Sequence, residues 1–184
     1  MRNYTYLLFV FLFISCNEKE KETQSDVVYQ IERIDTMVNV TSKVALKDLN
    51  TANVSKHELV AYAKSLTGIP YKYASTDPAQ GFDCSGFITY VFNHFHIDVP
   101  RSSVDFTNVG KPVDFSQAGE GDLILFTGTN DSIRIVGHMG IVTENTDSLR
   151  FIHSTSGRAN GVTISSFSEH YKKRFVKVMR IFND

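Results

Sequence analysis

The segment 82–92, which reads FDCSGFITYVF, predicts a helix that begins at a cysteine. After Cys84, apolar side chains recur every three or four residues as far as Phe95, which is the pattern of one buried helical face. Cys84 therefore lies in or beside the first turn, where unpaired backbone N–H groups and the helix dipole favour a negative charge. Such a position, next to a cationic neighbour, lowers the pKa of a thiol. We expect Gly86 to leave room for a close approach to this thiol. A buried structural cysteine is the alternative interpretation.

The composition is that of one compact domain with a tail. The chain has 184 residues, of which 42% are hydrophobic and 21% charged, and its formal net charge is −1. A near-neutral chain does not favour nucleic-acid binding, for which a basic patch is usual. The two cysteines, Cys16 and Cys84, could pair in an oxidising compartment, but each has an explanation of its own. The sequence contains no Walker or dinucleotide-binding glycine motif.

The first 16 residues have the features of an export signal. Arg2 precedes an uncharged apolar run, residues 6–14, which is shorter than the roughly 20 residues that a bilayer span needs. The ending Phe13-Ile14-Ser15-Cys16 resembles the end of a bacterial lipoprotein signal. An ordinary signal peptide cut nearby is the alternative.

This resemblance implies a division of the chain into three parts. Residues 1–15 would be removed as a signal peptide, and Cys16 would be lipidated. Residues 16–52 are polar and predict a flexible tether, with a short strand near residues 27–34. Residues 53–184 then form the folded domain.

Within this domain, helical patterns come first and strand patterns second. A helix is predicted over 55–67, with a capping box formed by Ser55 and Glu58. The helix that begins at Cys84 ends near residues 94–96, and a short helical piece follows. From Gly121 onward the apolar period is two, which predicts strands. These strands are 122–126, 135–143, 149–154, 162–166 and 175–181. The order predicts an α+β domain in which N-terminal helices pack on a mostly antiparallel sheet of about five or six strands.

A cysteine nucleophile needs a base and a group that orients the base. Two of the six histidines fit: His138, which glycines flank in a strand, and His153 on the next strand. If these strands form a hairpin through residues 145–148, the two imidazoles are near neighbours, and packing of the helix would bring Cys84 against His138. The other four histidines are interpreted as structural or solvated: His57, His94, His96 and His170. One cysteine and two histidines could also hold zinc, but their spacing matches no closed zinc site, and we expect no metal or other cofactor.

Six short motifs, taken together and in order, resemble the NlpC-type cell-wall cysteine peptidases, a papain-like family. The motifs are Pro70-Tyr71-Lys72-Tyr73, Phe82-Asp83-Cys84-Ser85-Gly86-Phe87, Val99-Pro100-Arg101-Ser102, Gly121-Asp122-Leu123, His138-Met139-Gly140-Ile141 and Phe151-Ile152-His153-Ser154. They cover roughly residues 55–182, and with the lipoprotein start they look most like the Spr-type murein endopeptidase lipoproteins. Ala74 and Ser75 depart from the family pattern, which often has two glycines there.

The resemblance implies a catalytic triad. Cys84 would be the nucleophile, His138 the general base and then the general acid, and His153 the residue that orients the imidazole. Tyr71 would help to bind the oxyanion, together with the backbone N–H of Cys84.

The resemblance also implies a substrate and a location. Asp83, Arg101 and Ser102 would line the cleft, and the substrate would be the peptide stem or cross-bridge of peptidoglycan, cut through a thioester. We expect a monomer that binds no nucleic acid and that lipid on Cys16 anchors in the cell envelope, at the outer membrane. Two alternatives stay open: a catalytically idle lipoprotein that binds cell-wall peptides, and an amidase or acyltransferase on the same scaffold.

Overall fold

The computed structural model of the protein describes residues 48–51 and 53–182. The predicted signal peptide, the lipidation site Cys16, the strand near residues 27–34 and most of the tether lie outside the described residues. Within the described part, no helix is long and apolar enough to cross a membrane.

Two α-helices precede the main sheet, and their N-termini differ. Helix α1 (Lys56–Ser65) begins after Ser55, whose side chain makes no capping hydrogen bond, so the predicted capping box is wrong. Helix α2 (Cys84–His94) begins where the sequence predicts it. Its cap is Asp83, whose carboxylate accepts a hydrogen bond of 2.6 Å from the backbone N–H of Gly86. Such a cap satisfies a donor that the first turn leaves unpaired.

The remaining elements confirm the predicted α+β class. A small hairpin, β1 (Thr76–Asp77) and β2 (Gly81–Phe82), leads into α2. The main sheet has six strands, all antiparallel, in the order β3-β8-β4-β5-β6-β7. Its strands are β3 (Lys111–Val113), β4 (Leu123–Thr127), β5 (Val136–Asn145), β6 (Leu149–Thr155), β7 (Gly161–Ser166) and β8 (Phe175–Arg180). The short helices are two 3₁₀ helices, Ser103–Asn108 and Phe115–Gln117, and helix α3 (Glu169–Arg174).

The main sheet is covered on both faces. On one face, buried Leu125 and Met139 belong to the same apolar cluster as Phe87 of α2. On the other face, buried Phe126 belongs to a second cluster, against which Tyr171 of α3 packs. The sequence predicts the first layer but not the second. This second layer is important because the candidate histidines lie on the same side of the sheet as Phe126.

Candidate active site

Cys84 is a half-buried free thiol at the first position of α2. Its S–H donates a long hydrogen bond of 3.9 Å to the carbonyl oxygen of Gly137. Burial raises the pKa of the thiol, and the negative charge of Asp83 raises it further. The N–H groups of Ser85 and Cys84 at the helix start, and then Arg101, lower the pKa without outweighing burial. The expectation of a lowered thiol pKa is therefore wrong for the free protein.

The space beside Gly86 is occupied by the loop before α2 and is not open to a substrate. A Cβ at this position would collide with the carbonyl oxygen of Ser75 and lie 2.9 Å from Oδ1 of Asp83. The same carbonyl oxygen accepts a hydrogen bond of 3.2 Å from the backbone N–H of Asp83. The room predicted beside Gly86 is thus taken by backbone, which fixes the turn that presents Cys84.

Asp83 is held by Arg101 in a two-point ion pair. The Nη2 group of Arg101 donates to Oδ2 of Asp83 at 2.6 Å, and Nη1 donates to Oδ1 at 3.0 Å. Nη1 also donates to the hydroxyl of Ser85 at 2.9 Å. Paired bonds of this kind fix geometry as well as charge. Arg101 therefore stabilises the capped start of α2, beside Cys84.

The two candidate histidines lie side by side, as the predicted hairpin requires. Strands β5 and β6 pair Ile141 with Ile152, and this register places His153 opposite Gly140. Since Gly140 has no side chain, the imidazole of His153 can reach diagonally toward His138. Nε2 of His138 lies 2.8 Å from Nδ1 of His153. The nitrogen of His138 that remains for a thiol proton is Nδ1.

The second nitrogen of His153 is also bound. Its Nε2 lies 2.9 Å from the hydroxyl of Ser165 on β7 and 3.4 Å from the hydroxyl of Tyr171 on α3. If His138 accepts the thiol proton at Nδ1, its Nε2–H donates to Nδ1 of His153, and the Nε2–H of His153 then donates to Ser165. Sequence reasoning missed Ser165, although the alternation of polar Thr163 and Ser165 with apolar neighbours marks one polar face of that strand.

Both imidazoles are neutral at pH 7. Burial lowers the pKa of His153 to about 4, with a further contribution from the charge of Arg174. The pKa of His138 lies well below its usual value because of burial, then His153, then Arg174. A neutral His138 can accept a proton, so the free site combines a protonated thiol with an imidazole that is ready to act as a base.

Two cavities meet at the thiol, and Tyr71, Cys84 and Gly137 line both. The larger, about 820 Å³, is called here the histidine-side cavity because His138 lines it. Its other lining residues include Thr129, Thr155, Arg158, Thr163, Ser165, His170, Tyr171 and Arg174. The smaller, about 550 Å³, is the Asp83-side cavity. Its other lining residues include Tyr73, Ala74, Asp83, Ser85, Arg101, Ser102 and Ser103.

The structure thus brings the predicted cleft residues together around Cys84. Burial, and then the negative charge of the thiolate form of Cys84, raise the pKa of Tyr71, so its hydroxyl stays protonated and able to donate. Of the histidines interpreted as structural or solvated, His94 stacks on Tyr62 with ring centroids 3.7 Å apart, and His57 pairs with Glu120. His170 differs, because it lines the histidine-side cavity.

The described residues 48–51 and 53–182 contain no group of three or more His, Cys, Asp or Glu side chains that could hold a metal ion. The side chains around the two cavities include the thiol of Cys84, the phenol of Tyr71 and the imidazole of His138, which is hydrogen-bonded to that of His153. Together they can transfer an acyl group to the sulfur and release an amine.

Comparison with known proteins gives one consistent result. Residues 68–180 match the model of the NlpC/P60 family. The murein DD-endopeptidase/murein LD-carboxypeptidase MepS of Escherichia coli is 33% identical over 118 residues, which are 63% of this chain and 57% of that protein. The probable peptidoglycan endopeptidase LytE of Bacillus subtilis is 38% identical over 129 residues, which are 70% of this chain and 34% of that protein.

Comparison of the fold with solved structures leads to the same family. A crystal structure of an NlpC/P60 family protein from Bacillus cereus aligns with a TM-score of 0.60 and 29% identity, over 69% of this chain and 40% of that chain. The chain spans 57% and 34% of the length of these two curated relatives.

Proposed function

Because the chain belongs to the NlpC/P60 family, we propose that it is a peptidoglycan endopeptidase that uses Cys84 as its nucleophile. The observation that carries the proposal is the contact of 2.8 Å between His138 and His153, together with the cavity that both Cys84 and His138 line. A base and an orienting group in hydrogen-bond contact are what a weak nucleophile needs. The relatives whose names include murein or peptidoglycan endopeptidase supply the substrate class.

The reaction begins with Cys84 as a neutral thiol and His138 as a neutral imidazole. Nδ1 of His138 takes the thiol proton as the sulfur of Cys84 bonds to the carbonyl carbon of the scissile amide. The negative charge moves to the carbonyl oxygen, which the backbone N–H of Cys84 and the hydroxyl of Tyr71 can stabilise. His153 holds the imidazole in the required tautomer and orientation.

Three further proton transfers complete the turnover. Protonated His138 donates its proton to the leaving nitrogen, the C–N bond breaks, and a thioester on Cys84 remains. Water then adds to the thioester while His138 accepts a water proton, and the C–S bond breaks as that proton returns to the sulfur. The products are a free amine and a carboxylic acid.

The test is digestion of purified peptidoglycan with the form that lacks residues 1–16, beside its Cys84→Ala variant, with the fragments identified by mass. We expect fragments from the wild type and a loss of at least about a thousandfold in rate for Cys84→Ala, since removal of the nucleophile disables the whole triad. The masses identify the amide bond that is cut. Equal digestion by both proteins would overturn the proposal.

We also propose that the protein is anchored in the cell envelope, at the outer membrane, by lipid on Cys16. The support is the sequence alone: an apolar run, then a small residue, then cysteine. Two or more acyl chains give a stable anchor, because each buried CH₂ contributes about 0.8 kcal/mol. Labelling of cells with a fatty acid should mark the wild type and not Cys16→Ser, whereas equal labelling of both would reject the anchor.

A further inference from the structure

We propose that the histidine-side cavity binds the amine half of the scissile bond, and that Arg174, assisted by Arg158, recognises a free carboxylate on that half. The inference rests on the proposed hydrolase function for its assignment of the two halves. Its physical basis is the position of the general acid and an uncompensated positive charge in that cavity.

The position of the general acid determines which half of the substrate lies in which cavity. His138 lines the histidine-side cavity and is absent from the lining of the Asp83-side cavity. A general acid must lie within hydrogen-bond reach of the nitrogen that it protonates. The leaving amine therefore enters the histidine-side cavity, and the acyl half lies in the Asp83-side cavity.

The charges of the two cavities differ. In the Asp83-side cavity, the positive charge of Arg101 is neutralised by Asp83 at 2.6 Å. The histidine-side cavity is lined by Arg158 and Arg174, and none of its described lining residues is an aspartate or a glutamate. A partly buried cation without an anion is costly unless a bound ligand supplies the negative charge.

Two contacts orient the guanidinium of Arg174, but neither of them neutralises its positive charge. Its Nη2 donates to the carbonyl oxygen of Thr127 at 2.9 Å, and its Nη1 contacts Nε2 of His170 at 3.1 Å. Its Nε–H is buried and has no hydrogen-bond partner in the described structure. Neither of these two partners is an anion, since one is an amide carbonyl and the other is an imidazole nitrogen. The guanidinium is thus held at the cavity wall with its charge free for a ligand.

The ligand chemistry follows from the guanidinium. Its planar N–H groups match a carboxylate, and charge-assisted hydrogen bonds of this kind are about twice as strong as neutral ones. Exposed Arg158 adds a second positive charge at the rim. The amine half that fits is an amino acid or peptide that carries a free carboxylate close to the reacting nitrogen.

The experiment compares two synthetic peptides that share the acyl half and differ only in a carboxylate or a carboxamide on the amine half. With the purified protein, we expect kcat/KM to favour the carboxylate peptide by about tenfold or more, as one charged hydrogen bond contributes. Arg174→Gln should bring this ratio close to one, and Arg158→Gln should lower it less. The matched control is Lys173→Gln, which removes the same charge from an exposed side chain outside the cavity lining and should keep the ratio.

A binding measurement separates this inference from the proposed function. Cys84→Ala is titrated with both peptides by calorimetry, alone and combined with Arg174→Gln. Tighter binding of the carboxylate peptide that depends on Arg174 supports the subsite even if the wild type hydrolyses neither peptide, a result that would reject only the endopeptidase. Equal affinity of Cys84→Ala for the two peptides overturns the subsite. If Arg174→Gln does not fold, Arg174→Met replaces it, which also removes the charge but keeps a long side chain, and an unchanged carboxylate preference in Arg174→Met also overturns the subsite.

Discussion

The charge state of the Cys84–His138 pair is decided by burial rather than by the helix. The sequence correctly places the thiol at a helix start, where N–H groups favour a thiolate, and those groups do lower its pKa. Burial and the neighbouring carboxylate of Asp83 raise the pKa more, and burial lowers that of His138. Neutral thiol and neutral imidazole are thus the resting state, and in the proposed mechanism the proton moves to His138 only as the sulfur attacks the substrate. Burial is a property of packing, which one segment of sequence does not report.

This resting state can be tested by alkylation with iodoacetamide across pH. The thiolate is the reactive form, so we expect the rate at Cys84 to keep rising beyond the thiol's usual pKa of 9.0. Asp83→Asn removes a charge that raises the pKa and should shift the rise to lower pH. A rate that is already constant below pH 7 would instead indicate a preformed thiolate–imidazolium pair.

We predict that Ser165 positions His153. Its hydroxyl is the nearer of the two groups that can accept the Nε2–H, at 2.9 Å against 3.4 Å for Tyr171. We expect Ser165→Ala to lower kcat about three- to tenfold with little change in KM, which is the effect of one lost neutral hydrogen bond. Steady-state kinetics on a soluble peptide substrate would measure this.

The controls distinguish positioning from a general loss of structure. Ser166→Ala changes the adjacent, exposed hydroxyl and should leave kcat unchanged. Ser165→Thr keeps an acceptor and should restore most of the activity. An equal fall of kcat in Ser165→Ala and Ser166→Ala would contradict the role given to Ser165.

At the scale of elements, the contact between β5 and β6 depends on Gly140. A Cβ there would lie 2.7 Å from Cδ2 of Phe151, 2.8 Å from the carbonyl oxygen of Ile152 and 3.2 Å from the Cβ of His153. We expect Gly140→Ala to lower the free energy of unfolding by about 1–3 kcal/mol, because the neighbours must shift. It should also lower kcat, because the same shift moves the imidazole of His153.

Urea unfolding and kinetics of Gly140→Ala would be compared with those of Gly119→Ala. At Gly119 an added Cβ meets nothing within 4 Å, so that variant should lose neither stability nor activity. A Gly140→Ala protein as stable and as active as Gly119→Ala would show that the two strands do not need this close approach.

The elements with a long and regular pattern are those that the sequence predicts well. Helix α2 and the five strands from Gly121 onward lie within two residues of their predicted positions. The missed elements are short: β1 and β2 have two residues each, and β3 has three. Helix α3 is missed because its sequence, EHYKKR, carries one aromatic residue and no apolar repeat. Its position comes from packing of Tyr171 on the far face of the sheet, which is a tertiary contact.

At the scale of the molecule, the site joins two layers that lie on opposite faces of the main sheet. Cys84 belongs to the layer of α1 and α2, and His153 contacts Tyr171 from the layer of α3. A hydrogen bond of 2.7 Å from the buried hydroxyl of Ser154 to the carbonyl oxygen of Phe82 links β6 to the turn before Cys84. Motifs in the sequence point to Cys84, His138 and His153, but the link between the two layers, and the placement of Arg158 and Arg174 in one cavity, come only from the folded chain.

Because the two buried histidines are neutral, the stability of the whole molecule should fall with acid. An imidazole whose pKa is lowered on folding binds a proton more readily in the unfolded chain, so its stabilising contribution is complete above pH 6.5 and is lost as the pH falls toward the folded value. For His153 the folded pKa is about 4. At about 1.4 kcal/mol per pH unit, this group alone should remove about 2 kcal/mol between pH 7.5 and 5. Urea unfolding at several pH values would measure the loss.

His153→Asn isolates this contribution, because asparagine keeps hydrogen-bonding capacity but does not titrate. The variant also removes the effect of His153 in lowering the pKa of His138. Both consequences, the loss of the His153 titration and the higher pKa of His138, reduce the fall of stability in acid. Its absolute stability is not the readout, since the substitution alters a buried contact. The readout is the slope: between pH 7.5 and 5 the variant should lose about 2 kcal/mol less than the wild type. Parallel curves would mean that His153 is not held neutral by burial, and the uncharged resting site inferred for Cys84 and His138 would lose its electrostatic basis.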